Sequence, residues 1–148
     1  MLGSGWLIEP RGLAVGPDGT VAVADVGLGG IVLFSSDGQV LEETVPESLN
    51  QPEAAAWTPD GEYLLFERSY VGSGGGGDNG IWMVHRDGGS GVRLIEGGGA
   101  TWPSPSPDGR YVYFQHREGS ADALAGHYQI RRFDRRTGVI VDVTAGDA

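Results

Sequence analysis

Trp57-Thr-Pro-Asp-Gly-Glu-Tyr-Leu-Leu-Phe66 and Pro105-Ser-Pro-Asp-Gly-Arg-Tyr-Val-Tyr-Phe114 are two copies of one pattern, a Pro-Asp-Gly tripeptide running into a β-prone stretch. A third copy comes earlier, so that Pro17-Asp18-Gly19, Pro59-Asp60-Gly61 and Pro107-Asp108-Gly109 recur at spacings of 42 and 48 residues. Each copy separates an apolar-bearing run (Gly12 to Val15, Ala54 to Trp57, Trp102 to Pro105) from a strongly β-prone one (Val21 to Ala24, Tyr63 to Phe66, Tyr111 to Phe114). The tripeptide therefore reads as a hairpin turn. Proline presets φ at the first central position, Asp tolerates the bridge region and can bond the backbone beyond it, and Gly takes the positive φ that closes the turn.

Outward from each hairpin lies a third run, Ile31 to Phe34, Ile81 to His85 and Tyr128 to Phe133. A second turn follows on Asp37-Gly38, Asp87-Gly88 or Thr137-Gly138. Fourth runs close the units at Val40 to Val45, Val92 to Ile95 and Val139 to Val143. Four short strands in roughly 40 to 50 residues is the pattern of a β-propeller blade. A β-sandwich gives no reason for one tripeptide to return in the same hairpin of every unit. The expected fold is all-β, a partial propeller of three four-stranded antiparallel blades at 10–46, 51–96 and 100–145. Trp6-Leu-Ile-Glu9 echoes Arg93-Leu-Ile-Glu96, so residues 1–9 are expected to be the outer strand of a preceding blade.

Composition agrees with one domain. The chain has 148 residues, 39% hydrophobic and 20% charged, and no apolar run approaches the roughly 18 to 20 residues of a membrane helix. Its 27 Gly and 8 Pro sit among short β-prone runs, which favours many strands over helices. Twenty acidic residues against ten cationic ones, all arginine, give a net charge of −10, and nucleic acid and anionic membrane surfaces are not expected partners. With no Cys, disulfides and thiolate chemistry are excluded. The stretch MLGSGWLIEP lacks the basic and apolar segments of a secretory signal.

At these residues the chain resembles two propeller repeat types. Gly12 to Asp25 followed by Ile31 to Gly38 is similar to the NHL repeat, with Gly29-Gly30 where that repeat usually has Asn-x-Arg. The second and third units, Trp57 to Phe66 with Gly80 to Val84 and Pro105 to Phe114 with Ile130 to Asp134, resemble the WD40-like (PD40) repeat of TolB. That repeat also occurs in propellers attached to prolyl-oligopeptidase-type peptidases and bacterial amidohydrolases, and Gly80 to Thr144 looks most like the amidohydrolase-linked ones. The resemblance implies a scaffold or binding module, and a periplasmic or extracellular place in a bacterium.

Three blades are fewer than the four to eight that close a propeller, so two faces are left bare. A protein partner, missing blades, or a second copy completing a six-bladed ring would cover them. Two long connections, Ser69 to Asn79 and Arg117 to His127, join second and third strands on one face of the disc, and Arg68, Tyr70, Arg117 and Tyr128 at their bases are the candidate binding residues.

Other constellations read as structural. Gly72, Gly74 and Gly77 have dinucleotide-loop spacing but precede a strand, with no helix N-terminus to hold a phosphate. His85, His116 and His127 lack metal-ligand spacing, and neither a metal nor a cofactor is expected. Asp18, Asp60 and Asp108 are turn residues, and Asp25 at a strand end reads as structural. Trp57, Trp82, Trp102, Tyr63, Tyr111, Tyr113, Phe66 and Phe114 are expected to pack between blades. Arg131, Arg132, Arg135 and Arg136 read as a solvated strand edge. No Ser, Ser73 and Ser90 included, has nucleophile-elbow spacing, so no chemistry is assigned to the chain alone. The alternatives are a propeller gating the active site of an amidohydrolase or oligopeptidase-type hydrolase, and a lactonase-like calcium enzyme. The latter needs acidic residues on the innermost strands, where Glu53 alone stands nearby.

Overall fold

The computed structural model describes residues 7–43, 52–68, 79–97, 99–118 and 127–144. These residues form strands β1 (Pro10–Val15), β2 (Val21–Asp25), β3 (Gly30–Phe34), β4 (Val40–Glu43), β5 (Pro52–Trp57), β6 (Tyr63–Arg68), β7 (Gly80–His85), β8 (Gly88–Glu96), β9 (Ala100–Pro105), β10 (Tyr111–Glu118), β11 (His127–Asp134) and β12 (Ile140–Asp142), with no helix among them. The strands make three antiparallel four-stranded sheets, β1-β2-β3-β4, β5-β6-β7-β8 and β9-β10-β11-β12. Blades 1, 2 and 3 are thus the units marked by the tripeptide.

The turns behave as their residues dictate. Gly19, Gly61 and Gly109 adopt φ of +85°, +72° and +74°. Asp18, Asp60 and Asp108 each accept the backbone N–H two residues on, at 3.0, 3.0 and 3.1 Å. Blade 1 nevertheless differs by one residue, since Val15 pairs with Val21 whereas Trp57 pairs with Leu64 and Pro105 with Val112. The cause is the residue before the proline. In blades 2 and 3 the hydroxyls of Thr58 and Ser106 accept the N–H groups of Tyr63 and Tyr111 at 3.1 and 3.0 Å, satisfying the donor that the extra residue adds. Gly16 has no hydroxyl, and its own N–H closes on Thr20 O at 2.8 Å.

Blades stack through apolar faces. Ala22, Ala24, Ile31 and Leu33 of blade 1 meet Trp57, Leu64, Phe66 and Val84 of blade 2. On the other side of blade 2, Leu65, Ile81 and Ile95 meet Ala100, Val112, Phe114 and Phe133 of blade 3. Each of the larger of these side chains taken out of water contributes about 1.5–3 kcal/mol, and an alanine roughly 1 or less. Near the axis β1 lies against β5 and β5 against β9. Gly12 permits the first approach, because a Cβ there would stand 2.9 Å from the Ala54 Cα. Trp57 adds a polar tie across the junction, its Nε1–H donating to Ala14 O at 3.2 Å.

Of the leading outer strand expected at residues 1–9, residues 1–6 lie outside the described residues, and the chain bends at Ile8 and Glu9. Asp25, fully buried, accounts for this: its carboxylate accepts the N–H groups of Ile8, Glu9 and Leu28 at 2.8, 2.9 and 3.0 Å, amides that a strand would otherwise pair. Burial works to raise that carboxyl, and the amide donors outweigh it and hold it below the usual range. Leu7 packs on Val23, Val32 and Phe34, the face of blade 1 turned away from blade 2, while Leu13 and Val15 there stay exposed.

Candidate binding site

The innermost strands share an irregularity at their entry. In β1, Pro10 pairs with Asp25 and Gly12 with Ala24, so Arg11 is an extra residue; Ala54 is the extra residue of β5 in the same way. In β9 the residues Trp102 and Pro103 stand opposite Phe114. A bulge re-aims its side chain and strengthens local twist. Here Arg11, Ala54 and Trp102 all line one cleft of about 510 Å³, at the end of the blades where second strands pass to third.

Trp102 is the most unusual of the three. Its φ of +54° lies in the left-handed region that non-glycine residues avoid, and its side chain is 67% exposed. That conformation costs on the order of 1–3 kcal/mol and persists where the surroundings enforce it. The expectation that Trp102 packs between blades is therefore corrected. The bulge turns it out of the sheet, whereas Trp57, Phe66 and Phe114 are buried and Tyr63, Trp82, Tyr111 and Tyr113 half-buried.

Glu67, the fifth residue of β6, lies at the cleft floor and is 5% exposed. Burial pushes its carboxyl up to about 7; the Trp102 N–H, donating to Oε2 from 3.5 Å, offsets little, and the charge of nearby Glu53 adds to the rise. The group is thus poised to change charge near neutral pH. Asp25, one position further along blade 1 by strand pairing, instead has both oxygens taken by amides.

Of the candidate binding residues, Arg117 and Tyr128 come together, as directly paired neighbours of β10 and β11 on the cleft rim. Tyr128 is 62% exposed. Arg68 is buried, with its guanidinium 5.5 Å from the centre of the Trp82 ring, and does not line the cleft. Tyr70 lies outside the described residues, as do Gly72, Gly74 and Gly77. His116 sits inside β10; burial lowers its pKa, and the charge of Arg131 adds to that. Among the described residues no three His, Asp or Glu side chains gather as a metal ion would need. The basic cluster is more engaged than a solvated edge: Arg131 bonds Asp142 and Glu118 at 2.7 Å each, and Arg132 stacks 4.3 Å from the Tyr111 ring centre.

Sequence reasoning missed Arg11, Glu67 and Trp102. Glu67 carried one usable signal, an acidic residue directly after the apolar run Tyr63 to Phe66 and within the same strand.

No family model matches the chain, and no curated protein sequence matches it. Solved structures do. A protein assigned as TolB from Agrobacterium tumefaciens superposes with a TM-score of 0.71 at 20% identity, over 93% of this chain and 46% of that one. A chain of the nidogen/laminin complex gives 0.66 at 16% identity over 91% and 48%, and a protein assigned as a gluconolactonase 0.65 at 14% over 96% and 50%. This chain spans half or less of their lengths. All are β-propellers, and the likeness establishes that the described blades are a segment of that fold.

Proposed function

We propose that the chain is the recognition part of a β-propeller protein, a binding module that presents its strand-entry cleft to a polypeptide, either a separate partner or the catalytic domain of a larger protein. One observation carries the reading. Each of three blades bulges at the start of its inner strand, and all three bulged residues line the same cleft, with the strained, exposed Trp102 beside Tyr128 and Arg117. Exposed aromatic and arginine side chains around a cleft are the usual anchors of protein recognition, and backbone strain is retained where it positions such a group. The resemblance to TolB supports a place in the periplasm or outside the cell.

Selection from a random peptide display library tests this. Peptides retained by the protein should bind at least tenfold more weakly to Trp102→Gly and Tyr128→Ala variants of unchanged fold by circular dichroism. Retained peptides indifferent to both substitutions would contradict it.

A second reading, a propeller that gates or assists hydrolysis, is favoured by Glu67, whose carboxyl near 7 in a cleft suits proton transfer. A lactone or peptide substrate whose turnover vanishes in Glu67→Gln would bring that reading forward.

A further inference from the structure

At the turn end of the molecule, opposite the cleft, each junction between blades is spanned by one arginine. Arg86, just past β7, sits 5.6 Å from the Trp57 ring centre and donates to the carbonyl of Gly61 in its own blade's turn at 3.3 Å. It also reaches back to the preceding blade, to Asp18 Oδ2 at 3.0 Å and Thr20 Oγ1 at 3.4 Å. Arg135 holds the same place just past β11. It donates to Gly109 O at 2.9 Å and reaches Met83 Sδ of blade 2 at 3.5 Å. Its charge adds to the bonds from the Thr58 hydroxyl and the Glu62 amide that hold the Asp60 carboxyl low. The turns themselves stack in the same order: a Cβ on Gly61 would stand 3.1 Å from Pro17 Cγ, and one on Gly109 3.7 Å from Pro59 Cδ.

The series leaves one unmatched member on each flank. Asp108 takes the Ser106 hydroxyl and the Arg110 N–H within its own turn, and among the described residues no following blade brings it an arginine. Arg110 of the same turn lends Asp108 only its charge, since its guanidinium is held by Asp134 at 2.8 Å and lies over the Tyr111 ring. On the opposite flank Ser36 occupies the position of Arg86 and Arg135, beside its own turn glycine, 3.3 Å from where a Cβ on Gly19 would lie. Blade 1 therefore has no cation at this position to offer a preceding blade.

We propose that the open flank of blade 3 is a docking surface for a further β-blade that carries an arginine directly after its third strand, with Asp108 as the acceptor. The face around Asp108 has the mixed character of such a junction: Tyr111, Tyr113 and Ile130 are half-buried on it, and the propellers that superpose on this chain are about twice its length. Charge complementarity selects the occupant. Blade 1 of a second copy offers Ser36, so two copies lack this contact where the third blade of one would meet the first of the other.

The substitution Ser36→Arg supplies what blade 1 lacks and turns a second copy into the matching occupant. Sedimentation velocity should then show the Ser36→Arg chain associating at protein concentrations at least tenfold below those needed by the unaltered chain. Added Asp108→Asn should reverse this, and about 0.5 M NaCl should weaken it by screening. As a second arm, the chain extended by a copy of residues 52–97 should melt several degrees higher with arginine than with serine at the copied Arg86 position, and Asp108→Asn should erase the difference. Association of the unaltered chain as tight as that of Ser36→Arg would overturn the proposal. So would indifference of both arms to Asp108→Asn.

Discussion

Blade 1 and blade 2 start from the same tripeptide and end with different roles. Blade 2 is covered on both faces, carries the longer hairpin set by Thr58, and reaches its neighbour through Arg86. Blade 1 has the shorter hairpin with Gly16, serine in place of the arginine, and a far face covered in its described part by Leu7. A repeat fixes where strands run, and single residues beside it decide how blades join. That contrast can be broken or sharpened by substitution at matched positions.

The largest expected effect is at the first residue of the third strand of blade 2. A Cβ on Gly80 would lie 1.9 Å from Ile95 O, at a φ of +144°. Gly80→Ala adds a clash with main chain to the backbone strain and should therefore prevent folding or cost upwards of about 5 kcal/mol. Gly29, just before the third strand of blade 1, has φ +68° and open space around it, and Gly29→Ala should cost about 1 kcal/mol. Equal costs by chemical denaturation would erase the distinction.

Next comes the core. Phe66→Ala opens a cavity at the junction of blades 1 and 2 and should cost about 3–5 kcal/mol. Val23, which pairing places at the corresponding position of blade 1, faces away from blade 2, and Val23→Ala should cost about 1–2 kcal/mol by lost burial. Thr58→Ala leaves the Tyr63 N–H without its hydroxyl partner and should cost about 1–3 kcal/mol.

Smaller still is the pH effect at Glu67. Its carboxyl is raised in the fold to about 7 from an ordinary value of 4.5, so the folded chain binds more protons than the unfolded one between those limits. Stability from this group is fully present below about 4.5 and is lost as pH rises towards about 7. Glu67→Gln should be near neutral at pH 4.5 and stabilising at pH 8 by on the order of 1 kcal/mol, reduced by solvent screening through the cleft. Thermal midpoints at the two pH values check this, and a Glu67→Gln variant that is destabilised more at pH 8 would refute it. Trp102→Gly completes the series: relief of the left-handed backbone should hold or raise stability by up to about 1 kcal/mol while peptide binding falls.

The fold was legible because Pro-Asp-Gly encodes its turn locally, in the φ of proline and glycine and the reach of the Asp carboxylate. The extra residue in blades 2 and 3 was harder to read, since it depends on the hydroxyls of Thr58 and Ser106 bonding five residues away. Arg117 and Tyr128 could be placed together because a hairpin pairs the bases of its own loop. Arg11 and Trp102 could not, because a bulge is a property of two strands in register and leaves no periodic trace in one. Glu67 was hidden for a related reason: its burial, and the Trp102 N–H of blade 3 that meets it, exist only in the folded chain.

Peptide-resolved hydrogen exchange of the native chain tests the central claim most directly, that among the described residues blade 2 is covered on both faces while blades 1 and 3 each keep an open flank. The slowest amides should lie in β6 and β7, with β4 and β12 exchanging first. Slowest exchange in β11, or one uniform rate across all three sheets, would contradict it.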